Sequence, residues 1–455
     1  MTGREIREAL EGAGVLPSKQ LGQSFLIDPN MARWIVSQLD AGPDDAVVEV
    51  GPGTGALTEH LVGHVRRLIL IEFDERLAVY LRERFRNFSG VEVHHADGAR
   101  FDPRSLFKHR PLKFLGNLPY SSGGAILKNM LGRPNPFERA VVMLQKEVID
   151  RLAATCESDA YGILSLRVQV DWQVEPLRTV PPDAFHPRPT IDSAVAVLRP
   201  RVDAAAFDAR LFDELIRRGF SQRRKQLKKQ LPPQPLWGAV AERLGLALTT
   251  RAEELSLAQW IELTRAYDPH PLKDCPQRDE ELFDVVDEAD QVIRQASRAE
   301  VHRQGLRHRA VHVLVFNKRG EVLLQQRSAL KDVHPGLWDS SVSGHLDAGE
   351  DYPEAAVREL AEEMGISGAE VTEAARLTAC EETGWEYVRA YQALHDGRVE
   401  YPCAEIRTVL WLPPAEVDAW LAAKPDDFAS GFRACWAALR THWESHAGAH
   451  APQGG

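Results

Sequence analysis

Ala46-Val-Val-Glu-Val-Gly-Pro-Gly-Thr-Gly-Ala-Leu-Thr-Glu-His-Leu61 decides how the larger part of this chain is read. An apolar run, a glycine turn and a second apolar pattern predict a strand, a loop and a helix. Gly51, Gly53 and Gly55 let the backbone approach a ligand closely, and the following helix would offer its first amides. A glycine loop alone is common to many nucleotide binders and to purely structural turns, so the segments after it carry the argument. Arg67-Leu-Ile-Leu-Ile-Glu72 is a second strand ending in an acid, placed to take the hydroxyls of a ribose. Val91-Glu-Val-His-His95 is a third, running into Asp97, an acid placed to hold an adenine amine. Phe114-Leu-Gly-Asn-Leu-Pro-Tyr120 is a fourth: Asn117 both accepts and donates, Pro119 stiffens the turn, and Tyr120 can stack on a base. Four strand ends that each deliver such a group imply an open α/β sheet with its ligands along the carboxyl edge.

Over roughly residues 15 to 265 this order resembles class I S-adenosylmethionine-dependent methyltransferases, and among them the rRNA adenine N6,N6-dimethyltransferase family. The likeness is carried by Leu21-Gly-Gln-Ser-Phe-Leu26, Val48-Glu-Val-Gly-Pro-Gly-Thr-Gly55, Ile71-Glu-Phe-Asp74, Asn117-Leu-Pro-Tyr120, and Val180-Pro-Pro-Asp-Ala-Phe-His-Pro-Arg-Pro189 running to Asp192-Ser193. It implies a Rossmann-like sheet with S-adenosylmethionine held by Ser24, Leu26, Gly51, Gly53, Glu72, Asp97 and Asn117. Two departures stand out: Ser24 replaces the usual Asn, and Ser121-Ser-Gly-Gly-Ala125 replaces the usual Ile and Pro after Tyr120.

The chemistry follows from the amine. The lone pair of adenine N6 is delocalised into the ring, and hydrogen bonds to the Asn117 side chain and the Leu118 carbonyl would draw it towards sp³. Alignment and local electrostatics then do the work, without a strong general base. Tyr120 and Phe185 would hold a base taken out of its helix.

The chain has a net charge of -11, with 44% hydrophobic and 27% charged residues, as in a soluble globular protein. Residues 1–265 carry 36 Lys+Arg against 33 Asp+Glu, or +3, leaving 55 − 36 = 19 against 66 − 33 = 33, or -14, for the remainder. An RNA partner therefore belongs to the first part, where Arg217-Arg-Gly-Phe-Ser-Gln-Arg-Arg-Lys-Gln-Leu-Lys-Lys229 contains no acid. Arg223, Arg224, Lys225, Lys228 and Lys229 would contact phosphates. Five scattered cysteines without metal-ligand spacing read as reduced thiols. With no bilayer-length apolar run and no signal-like start, the expected setting is the cytoplasm, without membrane contact.

A second centre lies further on. Gly344-His-Leu-Asp-Ala-Gly-Glu350 followed by Arg358-Glu-Leu-Ala-Glu-Glu-Met-Gly-Ile366 fits the Nudix signature at every defined position. Glu359, Glu362 and Glu363 share one helical face, and three unpaired carboxylates there would hold Mg²⁺ or Mn²⁺, hard ions that also accept diphosphate oxygens. Glu359 is also expected to take part in the reaction. His334-Pro-Gly-Leu-Trp-Asp-Ser-Ser-Val-Ser-Gly-His345, with His308 and Trp385-Glu-Tyr387, resembles isopentenyl-diphosphate isomerase. That enzyme's acid/base cysteine is Ser343 here, which favours diphosphate hydrolysis over isomerisation.

The expected organisation is a methyltransferase domain at 1–200, a small helical RNA-contacting domain at 201–265, a Pro-rich linker at 266–278, a Nudix α/β/α sandwich at 279–445 and a disordered tail at 446–455. The expected partners are small-subunit rRNA or a pre-ribosomal particle and a small-molecule diphosphate, with the chain a monomer. The rival readings are a non-catalytic ribosome-assembly factor, a large-subunit rRNA methyltransferase, and an isomerase-like second domain.

Overall fold

Alternation of apolar residues with short Gly- and Pro-containing breaks gives a run of parallel strands in the first part of the chain. The computed structural model describes residues 1–17, 23–201, 206–270 and 276–445. Leu21 and Gly22, part of the expected linker, and the expected tail at 446–455 lie outside these. The chain divides into two units, Met1–Ala205 with Arg210–Ala266, and Ala206–Ala209 with Tyr267–Gly455.

In the first unit α1 (Gly3–Gly12), β1 (Phe25–Leu26) and α2 (Pro29–Ser37) precede β2 (Ala46–Val50), β3 (Arg67–Glu72), α3 (Glu75–Arg84), β4 (Val91–His95) and β5 (Leu112–Asn117). Then come α4 (Gly123–Leu131), β6 (Phe137–Gln145), α5 (Lys146–Ala153), α6 (Ile163–Gln169), β7 (Trp172–Val180), β8 (Phe185–His186) and β9 (Ser193–Pro200). The seven-stranded sheet has the order β4-β3-β2-β5-β6-β9-β7. Its first five strands are parallel, and β9 runs antiparallel to both β6 and β7. The strand order reverses between β2 and β5, and their carboxyl ends form the crevice where such sheets bind ligands. Both faces of β2 are buried, Val48 and Val50 in one core and Val47 in the other, as a covered parallel sheet requires. After β9, α7 (Ala209–Phe220), α8 (Trp237–Arg243) and α9 (Leu257–Tyr267) give the expected helical character.

One expectation fails. The segment after the glycine loop is not a regular α-helix: it is wound as turns with a 3-10 helix at Thr58–His60, because the amides of His60 and Leu61 bond three residues back to Leu57 and Thr58. The Thr58 hydroxyl meanwhile donates to buried Glu49 at 2.7 Å, holding the segment against β2.

The second unit begins with a hairpin of β10 (Leu282–Val286) and β11 (Val292–Ser297), then α10 (Arg298–Gln304). A mixed sheet follows from β12 (His308–Phe316), β13 (Val322–Arg327), β14 (Trp338–Asp339), β15 (Val342–His345), β16 (Val371–Leu377), β17 (Glu386–Leu394) and β18 (Ile406–Leu412). Its main path is β14-β13-β12-β17-β16, with β15 on β12 and β18 on β13. Asn317 accepts from the amides of Arg319 and Glu321 and so closes the turn between β12 and β13. Strand alternation sorts the residues of β12: Val311, Val313 and Val315 pack with α11 (Tyr352–Met364), while Ala310 packs with Cys435 of α13 (Ser430–Ser445). The sheet is thus covered on both faces. Helix α12 (Pro414–Ala423) lies between β18 and α13 in sequence. Asp351 caps α11 by accepting from the Glu354 amide, and Gly365 ends it in the left-handed region at φ 65°.

Candidate active sites

The four strand ends of the first unit meet. Glu72, buried at the tip of β3, accepts from the amide of Gly53 at 2.9 Å and from that of Asp74 at 2.9 Å. Burial pushes its carboxyl above the usual carboxylate range, against those two bonds. A β-carbon on Gly51 would lie 3.4 Å from the Asn117 carbonyl oxygen, and both Gly51 (φ 72°) and Gly53 (φ 58°) are left-handed, so the loop follows the end of β5 as only glycine comfortably can. Asn117 donates from Nδ2 to the Ser24 carbonyl at 3.4 Å. The Ala96 amide donates to the Glu72 carbonyl at 2.9 Å, and the half-buried Asp97 accepts from the Ala99 amide at 2.9 Å. Ser24, Asn117, Gly51, Gly53, Glu72 and Asp97 therefore line one continuous edge.

Leu26 and Phe185 are a different matter. They pair across β1 and β8 and are 2% and 3% exposed, inside one apolar cluster. The stacking role expected of Phe185 is corrected: its ring is core, and the side chain of Leu26 packs there too. Tyr120 is half-buried at the sheet edge, its hydroxyl 2.6 Å from Ser193 Oγ. Arg223 differs from the other basic residues of its run. It is paired with Glu253 and donates to the Asp159 and Ser158 carbonyls, which ties it to its own unit. Arg224, Lys225, Lys228 and Lys229 are exposed and make no ion pair among the described residues.

In the second unit α11 carries Glu359, Glu362 and Glu363 on one face, but they are not unpaired as expected. Arg358 bonds Glu350 at 2.8 Å, Glu359 at 2.9 Å and Glu362 at 3.2 Å. What remains uncompensated lies deeper. Glu363 is 5% exposed, with Gln325 Nε2 and the Ser343 amide each donating at 3.3 Å. Burial, then Glu405 and Glu359 beside it, hold its carboxyl well above the usual range; Glu359 is pushed up to about 7 by burial against Arg358. A β-carbon on Gly344 would lie 2.1 Å from the Glu359 carboxyl carbon, so any other residue there would push that carboxyl from its place.

A second donor set lies beside these carboxylates, and its His302 and His345 line the same cavity of about 900 Å³. His302, His308 and His345 each offer a nitrogen within 4.8 Å of the others. Nε2 of His302 and of His308 are buried and lack a hydrogen-bond partner. Glu386 lies 3.1 Å from His345 and 3.6 Å from His308. Although burial opposes ionisation of Glu386, those imidazoles hold its carboxyl well below the usual range. Orphaned imidazole nitrogens beside a carboxylate suit a divalent transition ion, as the α11 carboxylates suit Mg²⁺ or Mn²⁺.

Residues 17–268 match the family of ribosomal RNA adenine dimethylases, more than half of the chain. The chain belongs to that family. Residues 306–432 match the NUDIX domain, so the dimethylase unit is joined to a Nudix unit and both are enzymes. The chain is 40% identical to a ribosomal RNA small subunit methyltransferase A from Geobacter metallireducens over 271 residues, covering 56% of this chain and 98% of the relative. It is 38% identical to one from Leptothrix cholodnii over 259 residues, covering 56% and 94%. A dimethyladenosine transferase structure from Plasmodium falciparum is similar at 24% identity and a TM-score of 0.45, covering 52% of this chain and 95% of its own.

For the dimethylase family the cofactor is S-adenosylmethionine; Nudix domains use divalent metals. Among the described residues no helix is long and apolar enough to cross a membrane. Three features escaped sequence reasoning. Ser193 stands in the sequence only as the end of a motif, Glu405 lies in a loop with no signature, and the histidine set is split between α10, β12 and β15. The density of His302, His308 and His312 within one short stretch was the available signal.

Proposed function

We propose that the dimethylase unit transfers methyl groups from S-adenosylmethionine to adenine N6 of small-subunit rRNA, and that the Nudix unit hydrolyses an organic or nucleoside diphosphate. The observation that carries the first reading is the single edge shared by the Gly51–Gly55 loop, Glu72, Asp97 and Asn117. Glu72 would hold the ribose of the donor and Asp97 its adenine, and the bound donor supplies an electrophilic methyl group. Asn117 and the Leu118 carbonyl would accept from and orient the target amine, while Tyr120 stacks on its ring. Exposed Arg224, Lys225, Lys228 and Lys229 would bind RNA phosphates. The setting is the cytoplasm and the chain acts as a monomer.

At the Nudix unit Glu359, Glu362 and Glu363 would hold Mg²⁺ or Mn²⁺, which when bound neutralises charge on the diphosphate. Arg358 fixes Glu350 and Glu359, and Gly344 leaves Glu359 room to face the cavity. Ser343, whose hydroxyl lies 3.3 Å from Asp339, lacks the acidity that isomerisation would need there.

Incubation with S-adenosylmethionine and unmodified small-subunit particles, beside large-subunit RNA, tests the first reading. Dimethyladenosine in the small-subunit RNA is expected; donor binding without product would support an assembly factor instead, and product only in large-subunit RNA would move the substrate. For the second, a diphosphate screen with Mg²⁺ should release phosphate, and isomer formation from isopentenyl diphosphate would overturn hydrolysis.

A further inference from the structure

Tyr120 ends the Asn-Leu-Pro-Tyr turn, and a stacking ring is useful only if it is held in place before the base arrives. The chain that follows is poorly suited to fix it. Ser121 and Ser122 are short and polar, and a β-carbon on Gly124 would meet nothing within 4 Å. The turn is instead anchored on either side of the tyrosine. The Leu118 amide donates to the Met143 carbonyl of β6 at 3.1 Å. The Gly123 amide donates to the Pro119 carbonyl at 2.8 Å, and α4 starts so close to β6 that a β-carbon on Gly123 would lie 2.4 Å from Leu144. Backbone anchors of this kind leave the phenol itself free to swing about its Cα–Cβ bond.

What holds the phenol is Ser193. Its side chain is 0% exposed, and its backbone is pinned between Gln145 of β6 and Val180 of β7. From that rigid point its Oγ sits 2.6 Å from the Tyr120 hydroxyl. Burial also pushes the phenol pKa up, so at neutral pH the hydroxyl keeps the proton that can be shared.

We propose that Ser193 is a positioning residue for methyl transfer, pinning the hydroxyl end of Tyr120 and so the place of the ring against which the target adenine stacks. This rests on the dimethyltransferase reading above. Ser193 touches neither donor nor adenine; it acts by restricting the ring, so its loss lowers the rate of the bound complex and leaves donor affinity alone.

The test is a double-mutant cycle in the full chain, with Ser193→Ala, Tyr120→Phe and both together. Turnover is measured as dimethyladenosine on unmodified small-subunit particles, and the S-adenosylmethionine Kd by calorimetry. Ser193→Ala should lower kcat about three- to tenfold, the worth of one hydrogen bond, with Kd unchanged. In the Tyr120→Phe background it should cost nothing further. The proposal is overturned if Ser193→Ala costs as much in the Phe background as in the wild type, if the loss appears in Kd rather than kcat, or if kcat does not move. Should Ser193→Ala fail to fold, Tyr120→Phe alone removes the same bond, and unchanged kcat would overturn the proposal. A wild-type chain that makes no dimethyladenosine would instead overturn the functional reading on which it rests.

Discussion

The dimethylase edge and the Nudix cavity solve opposite problems. Along the first, each functional group is quieted by backbone hydrogen bonds of the protein's own: Glu72 by Gly53 and Asp74, Asp97 by Ala99, Asn117 by Ser24. Such an edge is arranged before any ligand arrives, and alignment is what it offers. In the second, carboxylates are crowded until two of them resist ionisation, and beside them imidazole nitrogens go unpartnered. That arrangement carries an electrostatic cost that a cation relieves. One chain thus contains a centre whose Glu72, Asp97 and Asn117 are bonded to its own backbone and a centre that asks for metal.

The largest effect should come where the metal is demanded. Glu363→Gln should lower phosphate release roughly a thousandfold, several kcal/mol of lost charge stabilisation. Activity within tenfold of wild type would mean that the α11 carboxylates do not hold the ion. Asn117→Ala should cut dimethyladenosine formation about a hundredfold, with S-adenosylmethionine binding weakened far less. A loss confined to donor binding would remove Asn117 from the amine and sharpen the edge into a cofactor site alone.

The electrostatic cost can be read without substrate. Glu359 and Glu363 have folded pKa values above their unfolded ones, so the folded state binds more protons and stability falls as pH rises through that interval. His302, lowered to about 4 by burial, acts in the opposite sense between about pH 4 and its unfolded value near 6.5. Above roughly pH 6.5 the carboxylates dominate, and the metal-free Nudix unit should lose stability as the pH rises towards and beyond about 7. Hydrogen exchange of α11 amides should show the slope, and millimolar Mg²⁺ should flatten it; a slope unaffected by Mg²⁺ would break the contrast between the two centres. The smallest effect concerns RNA. Changing Lys228 and Lys229 together to Ala should reduce the salt dependence of rRNA binding by about one to two in logarithmic slope, measurable by titration at several ionic strengths.

Much of the first centre was legible because a parallel sheet puts successive strand ends side by side, so linear order became spatial order. The glycine turn, Glu72, Asp97 and Asn117 needed no knowledge of long-range packing. Phe185 was misread for the complementary reason: whether an aromatic next to a Pro-rich loop faces solvent or core depends on β1 pairing with β8, which no local pattern announces. The segment after Gly55 was expected as a helix because its apolar spacing allows one, yet the Thr58–Glu49 bond and the three-residue hydrogen bonds wound it differently. At the second centre the signature located α11 but not its ion pairs. Arg358 was read as a signature position, and only the fold shows it reaching Glu350, Glu359 and Glu362 at once. The His302, His308 and His345 set is assembled from a helix and two strands, a convergence that spacing does not reveal.

The central claim is that one chain carries two chemically separate centres, and the most direct measurement assays both reactions on the full chain bearing either Asn117→Ala or Glu363→Gln. The account predicts reciprocal loss: Asn117→Ala lowers dimethyladenosine formation about a hundredfold and leaves phosphate release at the wild-type rate, and Glu363→Gln lowers phosphate release alone. A single substitution that lowers both activities in folded protein would contradict it.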